Sequence, residues 1–510
     1  MVNNSQGNSR IARNTLFLYI RMFFVLIVTL YTSRVILSVL GVVDFGVNNV
    51  VAGFVTMFAF LNSSLTGAIQ RYYNFERSTK GDEGIRNVYK TSIIIQASMA
   101  VLVFVLLEAF GVWYVNNVMV IPPERLEAAN ILFQVSVVSL ALLIMSIPFS
   151  AAIVSFEHMD YYAFVGILDV VLKLAIVLVL PYINYDKLIT YSVLLFSVSI
   201  ANFLLYSIYA KRKFTALKLN GIFDKGLLKS MLVFSGWNAF GTFSNVVYTQ
   251  GVNLLLNFFF GPVVNAARGV SNYISGAVHG FSANIVIAFR PQLVESYAQK
   301  NYQRTRTIMY SESKICYLMI LLLITPIIIE MDYILDIWLG NNIPEYTAIF
   351  AICVLLKMLI TTLNVPFSQV VHASGVMKKF QIITSVITCM IIPLGWIVFK
   401  LGMPPVSIFL IAILLAVVSQ IACIIIVKGI FEYNVKEYLA KVIGSVLLVT
   451  LIAPIIPYVI HCIWLPSIWR ALTVVVLSSI IICALSYTIV LDKNERQFVV
   501  GMVKKYLKKK

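Results

Sequence analysis

Residues 211–229 read Lys-Arg-Lys-Phe-Thr-Ala-Leu-Lys-Leu-Asn-Gly-Ile-Phe-Asp-Lys-Gly-Leu-Leu-Lys, the densest internal block of positive charge in an otherwise apolar chain. We read this stretch as the bridge between two halves, because the second half of the chain repeats landmarks of the first. Ile147-Pro148-Phe149-Ser150 is answered by Val365-Pro366-Phe367-Ser368, 218 positions later, and each Pro-Phe-Ser falls late in an apolar run. Arg71 closes the second apolar run and Arg290 the eighth, 219 apart. Lys80 and Lys300, and Arg86 and Arg306, stand 220 apart in the basic loops beyond those two runs. A period containing an even number of membrane crossings makes the halves parallel repeats about an axis along the membrane normal, an architecture found in transporters.

Composition sets the class. The chain has 510 residues, 60% hydrophobic and only 12% charged, too little polar surface for a water-soluble globule of that length. A net charge of +17 raises nucleic-acid binding, but the basic residues fall in short loops between apolar runs rather than on one face among aromatic groups. We therefore read the charge as an orientation signal and expect no nucleic-acid partner. The six cysteines lie in or at the ends of apolar runs in the second half, with no metal-site or disulfide spacing.

By the criterion of roughly 20 apolar residues per crossing, the runs fall near 14–38, 46–69, 91–115, 129–154, 163–181, 188–210, 231–259, 268–289, 315–336, 347–372, 380–400, 406–427, 443–464 and 471–490. The expectation is an all-α polytopic membrane protein with fourteen transmembrane helices: two parallel six-helix repeats and two further C-terminal helices. The predicted division is an N-terminal lobe at 1–210, a cytoplasmic linker at 211–229, a C-terminal lobe at 230–430, and extra helices with a basic tail at 431–510. Of the 39 Lys and Arg residues, 30 fall on one side of this alternation and five on the other, which predicts both termini in the cytoplasm. The predicted outward loops are short. The four histidines are scattered, no His-x-x-x-His or phosphate-cradling glycine loop occurs, and we expect a transporter rather than an enzyme.

Polar residues recur at helical spacing. In the seventh run, Asn238, Thr242, Asn245, Thr249 and Asn253 are separated by four, three, four and four. In the eighth, Arg268, Asn272, Ser275, His279 and Ser282 make a similar stripe, which a shift of 219 carries onto Asn49, Gly53, Thr56, Phe60 and Ser63 of the second run. Single polar side chains in a bilayer often just bond between helices, at roughly 0.6–2 kcal/mol each; whole stripes in corresponding helices predict a water-lined cavity.

Charged residues inside apolar runs carry the larger penalty, about 2.5–3.5 kcal/mol on insertion scales. Arg21 shares a face with Arg10, Asn14 and Thr32, whereas the 219-residue shift sets Arg34 opposite Asn253; both stand as cavity candidates. Asp169 and Lys173 are four apart, acid first, the order that favours mutual neutralisation. Lys357 has no acid three or four positions away, so it snorkels, pairs with another helix or faces water. The candidate substrate-binding residues are thus Arg21, Arg34, Arg268, Asn49, Asn238, Asn245, Asn253, Asn272, His279, Lys173 and Lys357. The first, seventh and eighth runs contain no Asp or Glu, so their lumen would attract anions and repel organic cations.

With the repeat, the paired Pro-Phe-Ser, Ile337-Trp338-Leu339-Gly340, and Arg13-Asn14-Thr15 leading to Gly41-Val42-Val43-Asp44-Phe45-Gly46 in view, the chain resembles bacterial polysaccharide flippases over essentially its whole length. These belong to a superfamily that also holds the MATE multidrug exporters and the lipid II flippase. The resemblance implies two lobes in a V, a cavity lined by helices 1, 2, 7 and 8, and alternating access. The implied cargo is an undecaprenyl-diphosphate-linked oligosaccharide, crossing the bacterial inner membrane for O-antigen or capsule synthesis. It also implies membrane lipids as partners, with a polysaccharide polymerase and a chain-length regulator alongside, and no cofactor; coupling to membrane potential, H+ or Na+ stays open. Many drug exporters carry coupling acids in helix 1 or 7, and this chain has none there. An ion-coupled exporter of small molecules is the alternative. Glu157, His158 and Asp160 form the only compact cluster that a membrane-embedded transferase could use.

Overall fold

The computed structural model describes residues 4–340, 342–374, 377–492 and 495–496. Within the helices, the side chains of 4–23, 26, 60–64, 78, 234, 237–241, 281–288, 290, 291, 294 and 298 lie outside the description. The described residues are helical with no strand, as a bilayer requires, because an apolar run there must satisfy its backbone within itself. Among the described residues ten helices are long and apolar enough to cross a membrane, eleven if Thr347–Thr362 and Val365–Ser374, bent by 40°, count as one. The expected fourteen are not reached by that test. The first run and the start of the second lie in one helix, Asn4–Thr56, interrupted at Gly41, and the second run continues through Met57–Ala59 into Phe60–Leu106. The seventh and eighth lie in 225–260 and Pro262–Ala298, which are helical but carry the polar stripes.

Local chemistry sets the breaks. Gly41 and Gly81, with φ of 75° and 59°, interrupt Asn4–Thr56 and Phe60–Leu106 in a conformation that costs a glycine little. The two Pro-Phe-Ser segments differ: Pro148 sits inside Leu126–Ser155, whereas Pro366 stands in the first turn of a new helix after the 40° bend. A proline in the first turn loses no intrahelical donor. Both phenylalanines are nonetheless buried, Phe149 among Ile69, Tyr73, Tyr89 and Ala152, and Phe367 among Met309, Val370, Val427 and Tyr438.

The chain forms two compact units, residues 1–270 with 392–405, and 271–391 with 406–510. Contact thus groups the seventh helix with the first half, because Phe60–Leu106 packs along Lys225–Val246. In the first unit the basic stretch 211–229 is strapped down. Lys90 Nζ donates to the Gly221 carbonyl at 2.9 Å and Ile222 N donates to Asn87 Oδ1 at 2.7 Å. Asp224 then caps the helix that starts at Lys225, accepting from Gly226 N at 2.7 Å.

Candidate functional site: a hydroxyl-lined pocket in the first unit

The helix Asn4–Thr56 with Leu126–Ser155, Met159–Val179 and Lys187–Lys213 lines a half-open cavity of about 560 Å³, within the range of small-molecule sites. Its wall carries Thr56, Ser139, Asp169, Lys173, Ser199 and Asn202, set among Val55, Leu140, Leu143 and Phe203. Asp169 is the centre of the polar part. Its Oδ2 accepts from Lys173 Nζ at 2.8 Å and its Oδ1 from Asn202 Nδ2 at 2.7 Å. Lys173 is exposed, so the ammonium faces the pocket with a donor to spare, and Asn202 Oδ1 has no partner among the described residues. A carboxylate, an ammonium, an amide and several hydroxyls over an apolar wall can exchange hydrogen bonds with a polyhydroxylated ligand.

Thr56 links this pocket to the stripe on the seventh helix. Gln250 Nε2 donates to Thr56 Oγ1 at 3.2 Å, and Asn253 Nδ2 donates to Gln250 Oε1 at 2.7 Å. The stripe presumes α-helical spacing, but Val247–Gly251 is a π turn. Its extra residue rotates the helix after the turn relative to the helix before it, a departure that often marks functional sites. As a result Gln250, outside the predicted stripe, makes the contact, while Thr249 bonds back to the Asn245 carbonyl at 2.9 Å.

The other predicted residues are spread over both units. Asn245 is exposed and Asn49 is half-buried, its Nδ2 on the Phe45 carbonyl at 2.9 Å. Arg268 is buried at 2% exposure; Nη2 donates to the Thr249 carbonyl at 3.0 Å and the guanidinium stands 6.0 Å from the Tyr248 ring. It therefore braces the π turn. Arg34 is exposed on Asn4–Thr56. Asn272 and His279, both exposed, and Lys357, half-buried, belong to the second unit. The side chains of Arg21 and Asn238 lie outside the described residues. Of Glu157, His158 and Asp160, His158 is engaged elsewhere: its ring bonds the Tyr209 hydroxyl at 3.0 Å and stands against Phe214. Sequence reading missed Gln250, Asn202 and the pocket serines; Asn202 is 33 residues from Asp169, and only the i, i+4 pair with Lys173 hinted at that site.

No protein-family model matches the chain, and no curated protein matches it. Solved structures do. The lipid II flippase MurJ in an inward closed conformation is 14% identical over 93% of this chain and 98% of its own, with a TM-score of 0.69. An inward-facing multidrug resistance MATE family transporter of the MOP superfamily is 14% identical over 82% and 95%, TM-score 0.59. The eukaryotic MATE transporter AtDTX14 is 12% identical over 86% and 100%, TM-score 0.57. This chain shares their fold. At such identities the likeness extends to the path of the backbone, and side-chain roles rest on the geometry above.

Proposed function

We propose that this protein is a flippase that moves an undecaprenyl-diphosphate-linked oligosaccharide across the bacterial inner membrane by alternating access, for surface polysaccharide synthesis. The observation that carries this reading is the likeness to a lipid II flippase along 93% of the chain. The hydroxyl-lined pocket adds chemical support, since its wall suits sugar hydroxyls. The lipid tail stays in the bilayer while the head group enters the protein. Asp169, Lys173 and Asn202 replace water on the sugar, and Arg21 and Arg34 balance the diphosphate. Arg268 supports the site through Thr249. With both termini in the cytoplasm, outward movement of each net negative charge gains about 2.3 kcal/mol per 100 mV of inside-negative potential. A polymerase and a chain-length regulator would take over the delivered units.

Reconstitution decides between this and the MATE-like alternative. In proteoliposomes, a labelled polyprenyl-diphosphate oligosaccharide should cross at a rate that R34A and D169N lower, while a cationic dye is not expelled. Dye efflux driven by an ion gradient, with no movement of the lipid-linked sugar, would establish a small-molecule exporter instead.

A further inference from the structure

In the first unit, the basic stretch 211–229 holds large apolar side chains out beside its lysines, a feature that the transport reading does not use. Leu219 is 58% exposed and Ile222 67%, whereas Ala216 and Leu217 just before them are buried in the same core as Tyr89 and Met231. The exposed segment is not slack. Lys90 Nζ donates to the Gly221 carbonyl at 2.9 Å and Ile222 N donates to Asn87 Oδ1 at 2.7 Å, so both sides of the peptide bond leading to Ile222 are tied down. A Cβ on Gly221 would stand 2.5 Å from the Arg86 carbonyl oxygen, so the segment lies directly against the backbone of Phe60–Leu106.

Asn87 and Lys90 also fix which side of the unit this is. Along Phe60–Leu106 they begin a row, Asn87, Lys90, Ile94, Ser98, Val101 and Val105, at steps of three, four, four, three and four, which is one helix face. Ile94, Val101 and Val105 are exposed, and an exposed apolar row on a helix long enough to span the bilayer faces acyl chains. The segment that holds Ile222 is therefore tied to the end of a lipid-facing row. The helix before it, Lys187–Lys213, has the same pattern: Val193, Ile200, Leu204 and Ile208 are exposed, and their face ends on Lys211.

Charge selects the occupant. The stretch holds six cations, Lys211, Arg212, Lys213, Lys218, Lys225 and Lys229, against one acid, and that acid, Asp224, is engaged in capping with Gly226 N and Leu227 N. Aliphatic side chains at the edge of the hydrocarbon with exposed ammonium groups beside them match a leaflet whose head groups are negative. We propose that residues 211–229 are a docking surface for anionic phospholipids, with Leu219 and Ile222 seated at the outer ends of the acyl chains and Lys218 and Lys225 on the phosphates. This contact is with the surrounding membrane and stands whether or not the cargo reading holds.

The test uses the purified full-length protein in a non-ionic detergent, titrated with phosphatidylglycerol or with phosphatidylcholine of the same chains while thermal unfolding is followed. The expected result is a saturable rise in melting temperature with phosphatidylglycerol that phosphatidylcholine does not produce. Half-saturation should move to about tenfold or more higher lipid in K218Q/K225Q, and upward as salt is added. L219S/I222S should move it in the same direction, because the seated side chains lose apolar burial. An equal response to both lipids overturns the proposal, as does unchanged half-saturation in K218Q/K225Q. Displacement of the bound phosphatidylglycerol by an equimolar polyprenyl diphosphate also overturns it and assigns the stretch to the head group of the cargo. Should L219S/I222S fail to fold, the contrast between the two lipids and K218Q/K225Q, which alters exposed side chains alone, carry the test.

Discussion

A Cβ placed on Gly46 would stand 1.9 Å from the carbonyl oxygen of Pro262. Two helices thus meet backbone to backbone at the point where the chain turns through Gly261 into Pro262–Ala298, and small residues are what allow so close a crossing in a membrane. A backbone carbonyl in a helix cannot swing aside, so G46A must separate the helices. It should destabilise the protein by ~1–3 kcal/mol or more. A Cβ placed on Gly53 would stand 2.8 Å from Gln250 Oε1, the movable end of a side chain, so G53A should have a much smaller effect. Thermal unfolding in detergent compares the two, and equal losses would refute the crossing.

Arg125 joins three elements of the first unit. Its Nε and Nη2 donate to Asp44 at 2.6 Å each, and its Nη1 to Asp186 at 2.5 Å. R125M should lower stability by about 1–3 kcal/mol, since each bond is charge-assisted but partly wet. R125K keeps the charge but not the fork and should recover only part of it.

Asp186 predicts a pH dependence. Burial pushes its carboxyl up, but hydrogen bonds from Arg125 and from Ile189 N, with the Arg125 charge, outweigh burial and hold it below the ordinary 3.8. A carboxylate lowered in the folded state adds stability that is full above 3.8 and fades as pH falls through the lowered value. Acid unfolding followed by tryptophan fluorescence should therefore be steeper for the unaltered protein than for D186N in that range.

In the pocket, D169N leaves Lys173 without its counter-charge, and N202L removes the amide that orients Asp169. Each should reduce transport of the lipid-linked sugar by about tenfold, equivalent to 1.4 kcal/mol, with an unchanged elution profile on size exclusion. Full transport by both variants would remove the pocket from the mechanism.

Glu330 and Arg470 are 1% and 5% exposed at their side chains and 2.6 Å apart, and the His461 ring bonds the same carboxylate at 3.1 Å. Removing Arg470 leaves Glu330 buried with only His461 on its carboxylate, so R470M should lose ~3–5 kcal/mol. The double variant E330Q/R470M should lose less than the two single losses added together. Thermal unfolding of the four proteins supplies the cycle.

The amino-acid sequence by itself determined that the chain is helical and lies in a membrane, because apolar runs of that length leave the backbone no other way to satisfy its polar groups. Its repeat found Phe149 and Phe367, each buried in the core of its own unit. It did not determine which polar residues meet. The stripe at 238–253 assumed an unbroken 3.6-residue period, and the π turn at Val247–Gly251 moved the contact to Gln250. Arg268 lies on the eighth run's polar stripe, and packing buries it with Nη2 on the Thr249 carbonyl within that turn. Asp169 with Asn202, and Glu312 with Gln369, are 33 and 57 residues apart. Helical periodicity orders neighbours within one helix; only the packing of separate helices decides which of their faces touch.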